Sequence, residues 1–340
     1  MTSSSMNSDT IVVLGTGGTI AGRADRATDQ VGYVAAQLAV ADLLTGLGPV
    51  SPAGEPWCVE AEQVAQLDSK DMSHAVWQDL ATRVAQHVAR PDVQGVVITH
   101  GTDTLEETAY FLHRVLAPTK PVVLTAAMRP ATSLQADGPQ NLADALSVVA
   151  TAAQTGAQGV LVVMAGYIHS AWDIRKLHTH RLEAFSSGDA GPLGVMAQGS
   201  LRRFRPWDTL DPKAQAVSMP YGLDLVQTPV NTWPKVAILL SHAGHDESLL
   251  RAQLQGWIDA GVRGVILAGT GNATLHHGIT AALEHVDPDR TQLARMICSR
   301  CALGPILRAD PDPAAQHLDL SPVQARIELM LRLMRASKVA

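Results

Sequence analysis

Six short runs of this chain are apolar almost without interruption, and they leave the fold little choice. They are Ile11-Val12-Val13-Leu14, Val96-Val97-Ile98-Thr99, and the runs at 122–125, 160–164, 236–240 and 265–268. A strand with one wet face alternates polar and apolar residues, so a continuous run of valine, isoleucine and leucine asks for cover on both faces. Crossover helices supply that cover, and the sequence between the runs carries them. Met72, Val76, Leu80, Val84 and Val88 recur every four residues, as the apolar face of a helix does. Leu105, Ala109, Leu112 and Leu116 follow the second run in the same way. Ser321 as N-cap and Pro322 at the first helical position open a last amphipathic stretch through Val323, Ile327, Met330, Leu331 and Met334. Strand and helix in alternation predict an α/β protein with a doubly wound, mostly parallel sheet.

The chain's 340 residues exceed one typical domain. A stretch at 206–233 is rich in turn residues (Pro206, Asp208, Asp211, Pro212, Pro220, Pro229) and poor in periodicity. The expected organisation is a disordered leader at 1–9, a larger N-terminal domain at 10–205, a linker at 206–233 and a smaller C-terminal α/β domain at 234–340. A net charge of −6 leaves no electrostatic footprint for nucleic acid or acidic membranes. The polar start, Met1 to Thr10, lacks the basic and apolar regions of a signal peptide, and no apolar run reaches membrane-span length. The expectation is a soluble, cytoplasmic protein.

Three cysteines argue against a disulfide scaffold. Cys298 and Cys301 form a CxxC without the second pair that a four-cysteine zinc site needs, which leaves a reactive dithiol or an inert buried thiol. The histidine pairs His242/His245, His178/His180 and His276/His277 lack a positioned third ligand, so neither a metal nor a cofactor is expected.

Two of the apolar runs end in turns made of glycine and threonine. The first continues as Gly15-Thr16-Gly17-Gly18-Thr19-Ile20, the second as His100-Gly101-Thr102-Asp103-Thr104. Turns after parallel strands lie at the carboxyl edge of the sheet, where open α/β folds build ligand sites. The first turn is no dinucleotide fingerprint, because Ile20 replaces the third glycine, and no Walker A loop, because no Gly-Lys-Ser/Thr follows. In the second, Asp103 sits between two threonines, where an exposed carboxylate could hold an ammonium group, while Glu106 and Glu107 suit the dipole of the next helix. The run at 160–164 leads to a loop ending in Lys176, which could deprotonate a hydroxyl if partly buried. Tight turns and N-caps without chemistry would use several of the same residues.

Read together, Thr16 to Gly22 (TGGTIAG) and His100 to Ala109 (HGTDTLEETA) resemble the two signature patterns of the bacterial-type L-asparaginases. Further agreement lies in Ser69-Lys70-Asp71-Met72, Met128-Arg129-Pro130, Ala136-Asp137-Gly138-Pro139, Gly191-Pro192-Leu193-Gly194 and Ala268-Gly269-Thr270-Gly271-Asn272. The resemblance implies hydrolysis of a side-chain amide, with Thr19 as nucleophile and Tyr33 as its hydrogen-bond partner on a lid. It implies that Lys176 and Thr102 handle a proton, that Asp103 holds the substrate ammonium and Ser69 its carboxylate. The Thr102 N–H and the Ala127 carbonyl would lie near the scissile amide. It also implies a homodimer or homotetramer whose sites are shared between subunits.

Two positions depart from the family pattern. Lys70 stands where glutamine or glutamate is common, and Ala273-Thr274 where Gly-Asn is common. The alternatives to an L-asparaginase are a glutaminase-asparaginase of broader specificity and a non-catalytic amino-acid-binding relative. A tRNA-dependent amidotransferase subunit would want a basic surface that the composition does not offer.

Overall fold

The computed structural model describes residues 10–29, 31–45, 47, 58–207, 219–307 and 317–339. Its contacts divide the chain into two units, Met1–Val226 and Gln227–Ala340. The division falls within the turn-rich stretch at 206–233; the leader at 1–9 and residues 208–218 of that stretch lie outside the described residues.

The first unit runs β1 (Thr10–Gly17), α1 (Val40–Thr45), β2 (Cys58–Leu67), α2 (His74–Ala89), β3 (Val93–Thr99), α3 (Leu105–Leu116), β4 (Pro121–Thr125), α4 (Gly138–Ala150), α5 (Ala152–Thr155) and β5 (Gly159–Met164). It continues with β6 (Tyr167–Ser170), β7 (Arg175–Lys176), β8 (Phe185–Ser186), β9 (Gly194–Ala197), β10 (Ser200–Arg203) and α6 (Leu223–Val226). Eight strands form one sheet in the order β10-β9-β6-β5-β4-β3-β1-β2. From β2 to β5 the neighbours are parallel; β6, β9 and β10 extend the sheet antiparallel. β7 and β8 pair separately as a small ribbon.

The apolar runs are buried on both faces, as their sequence requires. Ile11, Val13, Val97, Val123, Leu161 and Val163 meet Leu142, Leu146 and Val149 of α4. The residues between them, among them Val12, Leu14, Val96, Ile98 and Leu124, are equally buried, with α2 against β3 and α3 against β5. Burying each such side chain stabilises the fold by roughly 1.5–3 kcal/mol before entropy is charged.

Strands without a continuous apolar run escaped the sequence reading. β2 borders the sheet, its residues are mostly half-buried or exposed, and its Glu60 and Glu62 pair with Arg90 and Arg83 from the α2 side. The antiparallel strands β6, β9 and β10 are four residues each, too short for a pattern to stand out.

The second unit is a parallel three-stranded sheet, β11 (Lys235–Leu240), β12 (Val262–Gly269) and β13 (Ala294–Ser299), in sequence order. Helices α7 (Glu247–Asp259), α8 (His277–Val286) and α9 (Pro322–Val339) cover it. Leu239, Val265 and Leu267 pack with Leu250, Leu254, Ile279 and Leu283 on one side. On the other side α9 approaches so closely that a side chain at Gly264 would meet Leu329 at 2.8 Å. The architecture is the expected one: α/β throughout, a large mostly parallel sheet first and a smaller parallel sheet second.

Strand order places the candidate site. The chain leaves β1 for β2 on one side and then builds β3, β4 and β5 on the other. The crevice between the carboxyl ends of β1 and β3 is therefore the topological switch point, the preferred ligand position in such sheets. Both glycine-threonine turns open there.

Candidate active site

The two turns are locked together by the absence of side chains. Gly17 and Gly18 have φ of 102° and 81°, a region that L side chains avoid. A Cβ on Gly18 would lie 2.3 Å from the Gly101 Cα, and one on Gly101 would lie 2.4 Å from the Ser69 Oγ. Gly18 N–H also donates to the Leu67 carbonyl at 2.9 Å. The segments leaving β1, β2 and β3 thus meet at backbone distance, bringing Thr19, Ser69 and Thr102 to one crevice.

Thr19 is buried, and its Oγ1 lies 2.6 Å from the Tyr33 hydroxyl. Tyr33 stands on an excursion closed by a reciprocal bridge: Arg23 N–H donates to Val34 O and Val34 N–H to Arg23 O, both at 2.9 Å. At its tip the Asp29 carboxylate accepts from the N–H groups of Gly32 (2.7 Å) and Val31 (2.9 Å), which hold it below the usual carboxylate range. A side chain at Gly22 would collide with the Tyr33 ring at 2.9 Å, so the glycine makes room for the tyrosine.

Lys176 forms the second cluster. Its Nζ donates to Thr102 Oγ1 at 2.9 Å and to Asp103 Oδ1 at 2.7 Å. The lysine side chain is 20% exposed and the aspartate 55%, so the carboxylate keeps an open side for a ligand. Ser69 Oγ accepts the Asp103 N–H at 3.1 Å, and the Ser69 carbonyl accepts the Thr104 hydroxyl at 2.8 Å.

Ala127 is fully buried and packs with Ile20 and Ala21, next to Thr19. Its neighbours are tied down: Met128 and Arg129 N–H donate to the Asp137 carboxylate, and Asn141 Nδ2 donates to the Ala126 carbonyl at 2.9 Å. The seven residues singled out in the sequence therefore form a Thr19/Tyr33 pair, a Ser69/Thr102/Asp103/Lys176 network, and Ala127 on the apolar floor beside Thr19. Asp137, quoted only as part of a pattern, proves to be the clamp on the 128–129 turn.

Sequence reasoning also missed His100. It is fully buried, and its Nδ1 lies 2.7 Å from the Gly101 carbonyl. A carbonyl can only accept, so Nδ1 carries the proton and Nε2 accepts from Thr108 Oγ1 at 3.0 Å. Trp77 Nε1 donates in turn to the Thr108 hydroxyl at 2.9 Å. Burial pushes the imidazole down to about 4, so it is neutral at pH 7. By gripping the Gly101 carbonyl, it fixes the peptide plane whose other side is the Thr102 N–H.

Lys70 turns to the Asp68 carboxylate at 2.5 Å on the exposed rim, and that contact raises its pKa. Cys298 is buried on β13, and Cys301 is exposed beyond it. His242 and His245 stack at 3.7 Å between ring centroids, with His276 at 5.5 Å from His245. Among the described residues, no group of three or more His, Cys, Asp and Glu side chains is placed to hold a metal ion. Nor is any helix among them long and apolar enough to cross a membrane.

Comparison with known proteins finds similar sequences and a similar fold. The family model described as "Asparaginase, N-terminal" matches residues 10–208. The glutaminase-asparaginase of Pseudomonas fluorescens biotype A is 34% identical over 328 residues, covering 95% of this chain and 86% of that protein. L-asparaginase 2 of Escherichia coli K12 is also 34% identical over 328 residues, covering 95% and 88%. Among solved structures, that of a probable cytoplasmic L-asparaginase from Campylobacter jejuni superposes with a TM-score of 0.83 at 33% identity, covering 96% of this chain and 95% of the other.

Proposed function

The chain belongs to the asparaginase family of amidohydrolases, and we propose that it hydrolyses the side-chain amide of L-asparagine to L-aspartate and ammonia with Thr19 as nucleophile. The observation that carries this reading is the pair of hydroxyls at one switch point, each with its own proton-handling partner at hydrogen-bond distance: Thr19 with Tyr33, Thr102 with Lys176.

A primary amide is a poor electrophile with a poor leaving group, so it needs an activated hydroxyl, stabilisation of the oxyanion and a proton for the departing nitrogen. In the proposed course Thr19 Oγ1 attacks the amide carbon while its proton passes to the Tyr33 hydroxyl, which releases its own proton to water. The Thr102 N–H, oriented through His100 and Gly101, faces the developing oxyanion. The leaving NH₂ takes a proton from the Lys176 ammonium through the Thr102 hydroxyl and departs as ammonia; water then cleaves the resulting Thr19 ester, returning one proton to Thr19 Oγ1 and the other to Lys176. Asp103 holds the substrate ammonium on its exposed side, and Ser69 with neighbouring N–H groups holds the carboxylate.

A second reading, a glutaminase-asparaginase, is favoured by relatives of both names at the same 34% identity. One methylene separates the two substrates, typically worth only ~1–3 kcal/mol of discrimination. Ammonia release from L-asparagine and L-glutamine by wild type and Thr19→Ala tests both. Loss in the variant supports the nucleophile, and the wild-type ratio of kcat/KM ranks the substrates. No release from either substrate would leave an amino-acid-binding relative. The proposal extends to a cytoplasmic homodimer or homotetramer working without metal or cofactor, to be checked by light scattering and by activity in chelator.

A further inference from the structure

The mechanism above leaves one half-buried carboxyl unused. Glu106 lies in the first turn of α3, two residues beyond the turn that carries Thr102 and Asp103. Its Oε2 accepts the backbone N–H of Lys176 at 2.5 Å. The same lysine's Nζ reaches back to Thr102 and Asp103. Both ends of the lysine are therefore fastened to one stretch, residues 102–106, and the loop between them is closed.

That closure matters because the ground under Lys176 is slight. Among the described residues, β7 is two residues long and pairs only with the two residues of β8, outside the main sheet. A lysine stem has four rotatable carbons, and its ammonium wanders unless its backbone is fixed relative to its target. We propose that Glu106 is a positioning residue for Lys176, clamping the lysine backbone to the N-terminal turn of α3. The inference rests on the reading that Lys176 handles the proton in the reaction.

Glu107 on α3 and Asp103 on the preceding turn are negative; Arg175 on β7 is positive, like Lys176 itself. Burial, foremost, and Glu107 push the Glu106 carboxyl above its usual range, against the Lys176 N–H and the two cations. A carboxyl so placed couples to its surroundings more strongly than a solvated one.

Three variants separate the roles, using kcat and KM of ammonia release. Lys176→Ala comes first: if it keeps wild-type turnover, the functional reading fails and this inference falls with it. With Lys176→Ala inactive, Glu106→Ala, which loses acceptor and charge, is expected to lower kcat by about 10–100-fold with KM changed less than about threefold. Glu106→Gln keeps an acceptor for the N–H and loses only the charge, so it is expected to recover at least about tenfold over Glu106→Ala. A destabilised Glu106→Ala leaves the reading to Glu106→Gln, which preserves size and hydrogen bond and is then expected to keep kcat within about tenfold of wild type. An inactive Lys176→Ala beside a Glu106→Ala with wild-type kcat, or beside a Glu106→Gln with kcat lowered more than about tenfold, would overturn the inference while leaving the proposed function standing.

Discussion

Thr19 and Thr102 reach their partners by different routes, and the contrast separates the adaptable half of the site from the fixed one. Tyr33 comes to Thr19 on an excursion held by hydrogen bonds: the Arg23–Val34 bridge, the Asp29 turn, and the bonds of Ala24 N–H to Thr132 Oγ1 at 2.8 Å and Leu134 N–H to the Ala27 carbonyl at 3.1 Å, with Val31 90% and Val34 60% exposed. Apolar side chains left in water do not hold a segment down, so this arm is kept in place by surface hydrogen bonds rather than by burial. Lys176 comes to Thr102 beside a sealed wall: His100, Thr108 and Trp77 are buried and joined by hydrogen bonds. A hydroxyl nucleophile that must admit substrate gains from a partner on a loop. A proton relay that must keep its geometry gains from a rigid backing.

The largest test of this division is catalytic. Thr19→Ala and Thr102→Ala are each expected to cut kcat by at least about 10³-fold, roughly 4 kcal/mol of lost transition-state stabilisation. Tyr33→Phe keeps the ring against Gly22 and loses only the hydroxyl, so a fall of about 10²-fold is expected, within the usual range for one proton-transfer group. Steady-state ammonia release reads all three. A Thr102→Ala enzyme with near-wild-type kcat would break the comparison, because the fixed half would then be scaffold only.

The next effect lies in stability. Burial pushes His100, His113 and His169 down to about 4, from an ordinary 6.5. As pH falls, the unfolded chain takes up their protons first, so stability present above about 6.5 is lost progressively toward about 4, by about 3 kcal/mol per histidine. Thermal midpoints measured from pH 7.5 to 4.5 should fall through that window. A flat profile would mean that water reaches these rings and that the wall behind Thr102 is not sealed.

Gly18→Ala attacks the joint between the halves. The new methyl would meet the Gly101 backbone at 2.3 Å and sit on a residue with φ of 81°, at a combined cost of about 2–4 kcal/mol. The melting temperature should drop and turnover with it. Unchanged turnover in a variant that still folds would show that the two turns need not touch.

Much of this was legible because the same physics writes both records. Continuous runs such as Val96 to Thr99 could only be doubly covered strands, and glycines between threonines could only be close turns. Long helices with clean spacing, α2, α3 and α9, declared themselves for the same reason. What stayed hidden was set by partners distant in sequence. Glu106 looks like a dipole-matched helix residue until the chain returns 70 residues later and Lys176 donates to it. Asp137 looks like a helix-flanking acid until Met128 and Arg129 turn their N–H groups toward it. β2 gave no apolar run because a border strand satisfies its outer residues with charges from a neighbouring helix, a choice that periodicity alone does not reveal.

The smallest expected effect sharpens the rule on which the joint depends, that a left-handed turn position at a strand end belongs to glycine. Ala165, directly after β5, already departs from it with φ of 49°, and the second unit departs from it again. After β12 the chain turns through Thr270 and Thr274, whose backbones pair reciprocally at 2.8 and 2.9 Å, and Ala273 within that turn has φ of 61°. The turn cannot relax toward the strand, because a side chain at Gly269 would already meet the Ala273 carbonyl carbon at 2.4 Å. An alanine in this region costs about 1–2 kcal/mol. Glycine removes that strain but adds roughly 0.5–1 kcal/mol of unfolded-state entropy. Ala273→Gly should therefore stabilise the protein by about 0.5 kcal/mol, read as a small rise in melting temperature. A clear fall would mean that the alanine methyl contributes packing worth more than its strain, and that the left-handed position here is governed by its neighbours rather than by its own backbone.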